Sequence, residues 1–143
     1  MVSGDPLPSH WRAALSQIAR RLYVLLVSHP WLVFVLPKNR RLGPNAVRQA
    51  EQLATAMVGL GLEPDEIWTL VGTMNDFVLG HSMRAVTAPQ GVDLEQAIPA
   101  GDVVDEELAA LPAWLRTRST MERFESGLKI VLDGIEAELP AQN

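Results

Sequence analysis

STMERFESGLKIVLDGIEAEL, residues 119–139, is the stretch whose reading decides the fold. It opens on Ser119-Thr120-Met121-Glu122, the pattern in which a serine hydroxyl and a glutamate three residues on satisfy each other's free backbone N–H groups at a helix start. Met121, Phe124, Leu128, Val131, Leu132, Ile135 and Leu139 then recur at three- and four-residue steps, one apolar stripe of a helix that runs to Leu139, before Pro140. Beside the stripe lie Ile130 and two glycines one heptad apart, Gly127 and Gly134. The resulting arc is wider than a single core contact requires. A helix buried on two sides needs either a central position in its own domain or a partner outside it.

The stretch from Pro64 to about Val86 repeats the theme. Asp65 and Glu66 suit the positive end of a helix dipole. At about 100° per residue, Ile67, Val71, Met74, Val78 and Ala85 share one side. Thr69, Gly72, Asp76, Gly80 and Met83 share the other. Glycines inside a helix cost roughly 1 kcal/mol each relative to alanine, and two of them eight residues apart on one face let another backbone come close. Gly80 also admits a plainer reading as a kink or packing accommodation.

Upstream, prolines and glycines divide the chain into further helices. Trp11 to Ser28 carries a stripe of Trp11, Leu15, Ile18, Leu22 and Leu25. A short helix spans Pro30 to about Leu36. A third opens at Gly43-Pro44, carries Val47, Ala50, Leu53, Ala54, Met57 and Val58, and stops at Gly59-Leu60-Gly61. A weaker helix or pair of turns is expected over Val104 to Leu115, interrupted at Pro112. No segment alternates with period two between hairpin turns, so the expected fold is all-α, with five to six helices. Two late helices with spare small or apolar faces suggest a homodimer built as a four-helix bundle.

Composition narrows the function classes. The chain has 143 residues, 48% of them hydrophobic and 20% charged, which is globular rather than disordered. It has no Cys, which excludes a disulfide scaffold, a thiolate nucleophile and a thiolate metal site. The net charge of −5 is that of no general polyanion binder. The basic residues crowd the start: Arg12, Arg20, Arg21, Lys38, Arg40, Arg41 and Arg48 face a single acid, Asp5, before Glu51. Between Arg84 and Arg116 there is no base at all. Leu22 to Leu36 is too short for a bilayer span, which takes about 20 apolar residues, and Ser28-His29-Pro30 breaks it. The preceding Arg20-Arg21 is a weak twin-arginine match, with no small-residue cleavage site following. The chain is read as cytoplasmic with no membrane contact. His10, His29 and His81 lack metal-ligand spacing, so no metal and no cofactor are expected. No GxSxG, P-loop or GxGxxG is present, and Asp102, Asp105, Glu106 and Glu107 read as a solvated face, so no enzyme is expected.

Four segments in order carry a family likeness: His29-Pro30-Trp31-Leu32, Leu42-Gly43-Pro44-Asn45-Ala46, Gly61-Leu62-Glu63-Pro64-Asp65-Glu66, and Phe124-Glu125-Ser126-Gly127-Leu128 with Leu132-Asp133-Gly134-Ile135-Glu136. Together they resemble the C-terminal domain of TetR-type transcriptional repressors, from about Trp11 to Leu139. The resemblance implies an all-α effector-binding and dimerisation domain whose small-molecule ligand relieves DNA binding by a helix-turn-helix head. The chain departs from that pattern in lacking such a head. Residues 1–10, MVSGDPLPSH, read as the linker that would follow one, and residues 140–143 as a tail. The chain is therefore expected to be a piece cut from a longer regulator, a truncated product or a free-standing effector domain. DNA contact would need the missing head.

On this reading a small apolar effector would lie among residues turned inward from the first four helices: Leu22, Trp31, Val47, Trp68, Val71, Met74, Asn75, Val78 and His81. Asn75 and His81 are the polar candidates. Each also has a plainer role, a hydrogen-bonded surface residue for Asn75 and a satisfied core or interface histidine for His81. The expected dimer residues are Gly72, Asp76, Gly80, Met83, Phe124, Gly127, Leu128, Val131, Gly134 and Ile135. Two other classes stay open: a helical module that binds a different protein through the same faces, and a free-standing carrier of an apolar metabolite.

Overall fold

The computed structural model describes residues 10–38, 43–87 and 119–140. The linker 1–9, Arg40 and Arg41, the expected weak helix at 104–115 with its acidic cluster and Trp114, and the tail beyond Pro140 lie outside the described residues. Five α-helices are described: α1 (Trp11–Ser28), α2 (Leu32–Val35), α3 (Pro44–Met57), α4 (Pro64–Thr87) and α5 (Thr120–Glu138), with one 3₁₀ turn at Leu36–Lys38 after α2. No strand occurs among the described residues. The all-α expectation holds.

The helix ends have local causes. At α5, Ser119 Oγ accepts from the Glu122 N–H while the Glu122 carboxylate accepts from the Ser119 N–H, the reciprocal cap read from the sequence. At α4, the Glu66 carboxylate accepts from the Glu63 N–H, and Asp65 and Glu66 occupy the first turn. Pro44 starts α3 from an extended Gly43, where its missing N–H costs nothing. The α3–α4 turn needs glycine twice, since Gly59 and Gly61 have φ of 88° and 77°. The short helix is displaced from its expected span. It starts at Leu32, not Pro30, and tightens into the 3₁₀ turn at Leu36.

Ion pairs fix the register of α1 against α5. Arg12 reaches Asp133 at 2.6 Å and Glu136 at 3.1 Å, and Arg20 grips both oxygens of Glu125 at 2.7 and 2.9 Å. Rising numbers on α1 meet falling numbers on α5, so the two are antiparallel. Phe77 lies against Gly127 while His81, one turn later, meets Phe124, which sets α4 antiparallel to α5 as well, and therefore parallel to α1. The core lies between these three helices and α3. It contains Leu15, Tyr23 and Leu26 of α1, Leu53 and Met57 of α3, Val71, Met74 and Val78 of α4, and Phe124, Leu128, Leu132 and Ile135 of α5.

Two expected stripes are corrected. On α1 the buried row is Trp11, Ala14, Leu15, Ala19, Tyr23 and Leu26, with Ile18 and Leu22 only half-buried. The row is turned toward the alanines because α1 packs most extensively on α4, and small side chains let two helices approach closely. On α3 only Leu53 and Met57 are buried, while Val47 and Val58 are exposed.

Gly127 is held by a neighbour on its own chain. A Cβ there would stand 2.7 and 2.8 Å from Phe77 Cε2 and Cζ, so the ring occupies the place of the missing side chain. Gly127→Ala is expected to destabilise the fold by about 1–3 kcal/mol, the usual cost of overpacking. Thermal unfolding measures it, and Phe77→Leu in the same chain should restore part of the loss. Ser119→Ala, which removes the α5 cap, should cost about 1 kcal/mol in the same assay.

Candidate functional site

α4 is the helix on which the candidate residues converge, because it shows different chemistry on each side. One side is the buried row Val71, Met74, Val78 and Ser82. The adjacent side carries Phe77 and His81 into a knot of rings. Tyr23 stacks on Phe124 with centroids 4.1 Å apart and planes 13° apart. Phe77 lies over Phe124 at 5.7 Å, and the His81 ring meets Tyr23, Phe77 and Phe124 at 5.6–5.8 Å. Stacked and edge-on contacts of this kind are each worth about 0.5–1.5 kcal/mol beyond burial. Thr120, the first residue of α5, serves both polar rings: its side chain bonds the Tyr23 hydroxyl and its backbone bonds the His81 ring.

The third side of α4 is exposed, small and polar: Thr69, Thr73, Asp76, Gly80, Met83 and Thr87. Alongside it on α5 stand Ile130 (72% exposed), Gly134 and Ala137. No atom lies within 4 Å of where a side chain at Gly72, Gly80 or Gly134 would begin.

These placements divide the expected ligand residues. Val71, Met74 and Val78 are buried together on α4. Leu22 and His81 are half-buried, His81 within the ring knot. Asn75 is on the surface, as are Trp31 (61% exposed), Val47 (43%) and Trp68 (65%). The nine are thus not gathered around one enclosed space by the described residues. Concavities there are surface grooves. One of about 600 Å³ on α1 is lined by His10, Arg12, Ala13, Ser16, Gln17, Arg20 and Arg21; one of about 400 Å³ is lined by Met121, Glu122, Glu125 and Ser126. Neither includes any of the nine.

The expected dimer residues divide too. Gly72, Asp76, Gly80, Met83 and Gly134 lie at or near the surface. Phe124, Leu128 and Ile135 are buried inside the chain's own core, Val131 is packed against it, and Gly127 receives Phe77. Tyr23, Phe77, Ser82 and Thr120 were not singled out by sequence. Ser82 left a legible signal, a polar residue at core spacing one turn after Val78. Tyr23, the sole tyrosine, falls beside the apolar stripe read for α1 and left none.

Electrostatics follow from the same contacts. The hydrogen-bonded pair of Arg20 and Glu125 raises the guanidinium's pKa and lowers the carboxyl's. Lys129 and Arg12 together lower that of Asp133. Burial raises the Tyr23 hydroxyl, against the opposing pull of Arg123 and Thr120. Burial lowers His81, and the charges of Arg84 and Arg123 push the same way, while the bond to the Thr120 backbone opposes them. Among the described residues no group of three or more His, Asp or Glu could hold a metal ion, and no helix is long and apolar enough to cross a membrane.

This bundle is that of a regulatory domain. Residues 5–139 match the family described as tetracyclin repressor-like, C-terminal domain, and the chain belongs to that family. A stretch of 70 residues is 34% identical to the HTH-type transcriptional repressor DrrR1 of Streptomyces coeruleorubidus, covering 49% of this chain and 26% of that protein. The match thus spans about a quarter of the length of that relative. No solved structure matches.

His81 titration gives a pH signature. With its folded pKa below the ordinary 6.5, the unfolded chain binds the proton more readily, so stability is full above about 6.5 and falls as the pH drops through that value. Thermal midpoints between pH 8 and 5 should show this decline, and His81→Phe, which keeps the ring contacts, should flatten it.

Proposed function

We propose that the chain is the effector-binding and dimerisation domain of a transcriptional repressor, acting as a homodimer in the cytoplasm, with no catalytic role. A small, largely apolar molecule bound among the first four helices relieves DNA binding by a helix-turn-helix head outside this chain. Family membership supports the regulatory role, and the repressor relative supports its sign.

The observation that carries the dimer is the outer side of α4 and α5. Thr69, Thr73, Gly80 and Met83 on one helix and Ile130, Gly134 and Ala137 on the other are exposed, small or apolar, with open space over both glycines. Two helices per protomer with such faces close as a four-helix bundle around a two-fold axis, where each patch meets its own copy. Phe124, Leu128 and Ile135, already enclosed, support that surface from beneath. Asp76 lies within the same side of α4, between Thr73 and Gly80.

Light scattering across a dilution series should give twice the 15.7 kDa chain mass. Ile130→Glu and Gly134→Glu should each convert the dimer to a folded monomer with unchanged helicity. A wild-type monomer at every concentration overturns the homodimer and favours a different protein as the partner of this face.

A further inference from the structure

Helical serines and threonines normally return their hydroxyl to the carbonyl one turn back. The structure records that bond at Ser16 to Arg12, Thr55 to Glu51, Thr69 to Asp65, Thr73 to Thr69 and Thr87 to Met83, at 2.7–3.0 Å. Three of these lie on α4 itself. Ser82, on the same helix, makes no such bond to Val78. It is fully buried, and its Oγ is the one buried side-chain polar atom without a hydrogen-bond partner among the described residues. A buried hydroxyl left alone is a cost to the fold, and native structures rarely carry one without a use.

Its surroundings restrict what could answer it. Ser82 ends the buried row Val71, Met74, Val78 on α4, next to His81, whose ring meets Tyr23 of α1. Among the described residues the core contains no buried charged side chain. A trapped water needs two to four polar partners, and among the described residues Ser82 Oγ is the one buried side-chain polar atom left without a bond. A charged ligand would be stranded without a counter-charge. A neutral molecule that is apolar over most of its surface and presents one oxygen fits both limits.

We propose that Ser82 Oγ is the hydrogen-bond anchor of the effector, and that the effector is a neutral, largely apolar molecule carrying a carbonyl or ether oxygen. The proposal rests on the effector-binding reading above. Ser82 fixes the ligand's orientation while Val71, Met74 and Val78 supply apolar contact.

Two measurements on the 143-residue chain test it. In the absence of ligand, Ser82→Ala should raise the melting temperature by about 2–6 °C, because an unanswered hydroxyl is removed. A drop of several degrees would mean that Oγ is bonded within the chain, and overturns the proposal. The second measurement compares thermal stabilisation by cyclohexanone and by methylcyclohexane, which share a shape and differ in one acceptor. The wild type should prefer the ketone, and Ser82→Ala should lose that preference while still responding to both. Equal stabilisation of the wild type by the two probes overturns the anchor and leaves the effector-binding reading standing. Stabilisation by neither overturns both for this part of the core.

Discussion

Everything in this bundle is positioned by the seating of Phe77 against Gly127. The ring occupies space that any side chain at 127 would need, so α4 and α5 approach closely at that level. Once they do, Phe124 comes under Phe77 and Tyr23 stacks on Phe124, which brings α1 into the same layer. Thr120 bonds both Tyr23 and His81, tying the first residue of α5 to the other two helices. Three helices are thereby pinned within one turn of each other, and the apolar rows below the knot close on themselves.

Charges contribute register more than energy. Arg12 and Arg20 meet Asp133, Glu136 and Glu125 along the α1–α5 seam, but every partner is partly exposed. Pairs of that kind are worth about 0–1 kcal/mol each. Their value is directional: sliding α5 by a turn would set Arg12 and Arg20 against the wrong residues. The basic start of the chain and its acidic remainder are in this way partly matched inside one fold.

The consequence for function lies in α4. One side ends at Ser82 in the core, the next holds the ring knot, and the third presents Gly80 and Met83 outward. The proposed effector anchor and the proposed dimer face are therefore separated by no more than the width of one helix, about 10 Å. A ligand that turned or shifted α4 would alter the proposed dimer face directly. Packed helices switch between discrete arrangements more readily than they deform.

The sequence by itself determined where the long helices begin, because those limits are local, though not where the short α2 does. The Ser119–Glu122 cap, Pro44 at a first turn and the two glycines of the α3–α4 turn act through bonds and torsions within a few residues. It also determined that α4 and α5 each carry more than one distinct arc, since periodicity records which residues share one. Only the tertiary structure decided what each arc meets. Gly127 and Gly134 are one heptad apart and look equivalent, yet Gly127 receives Phe77 inside the chain and Gly134 stands open. Phe124, Leu128 and Ile135 went to the chain's own core, and the stripe on α1 turned toward Ala14 and Ala19. Trp31 and Trp68, apolar enough to suggest a lining, remain on the surface, while Ser82 is buried. A periodic pattern gives an angle around one helix axis, but the neighbour at that angle depends on how three axes cross. That is set by contacts between residues far apart in the chain.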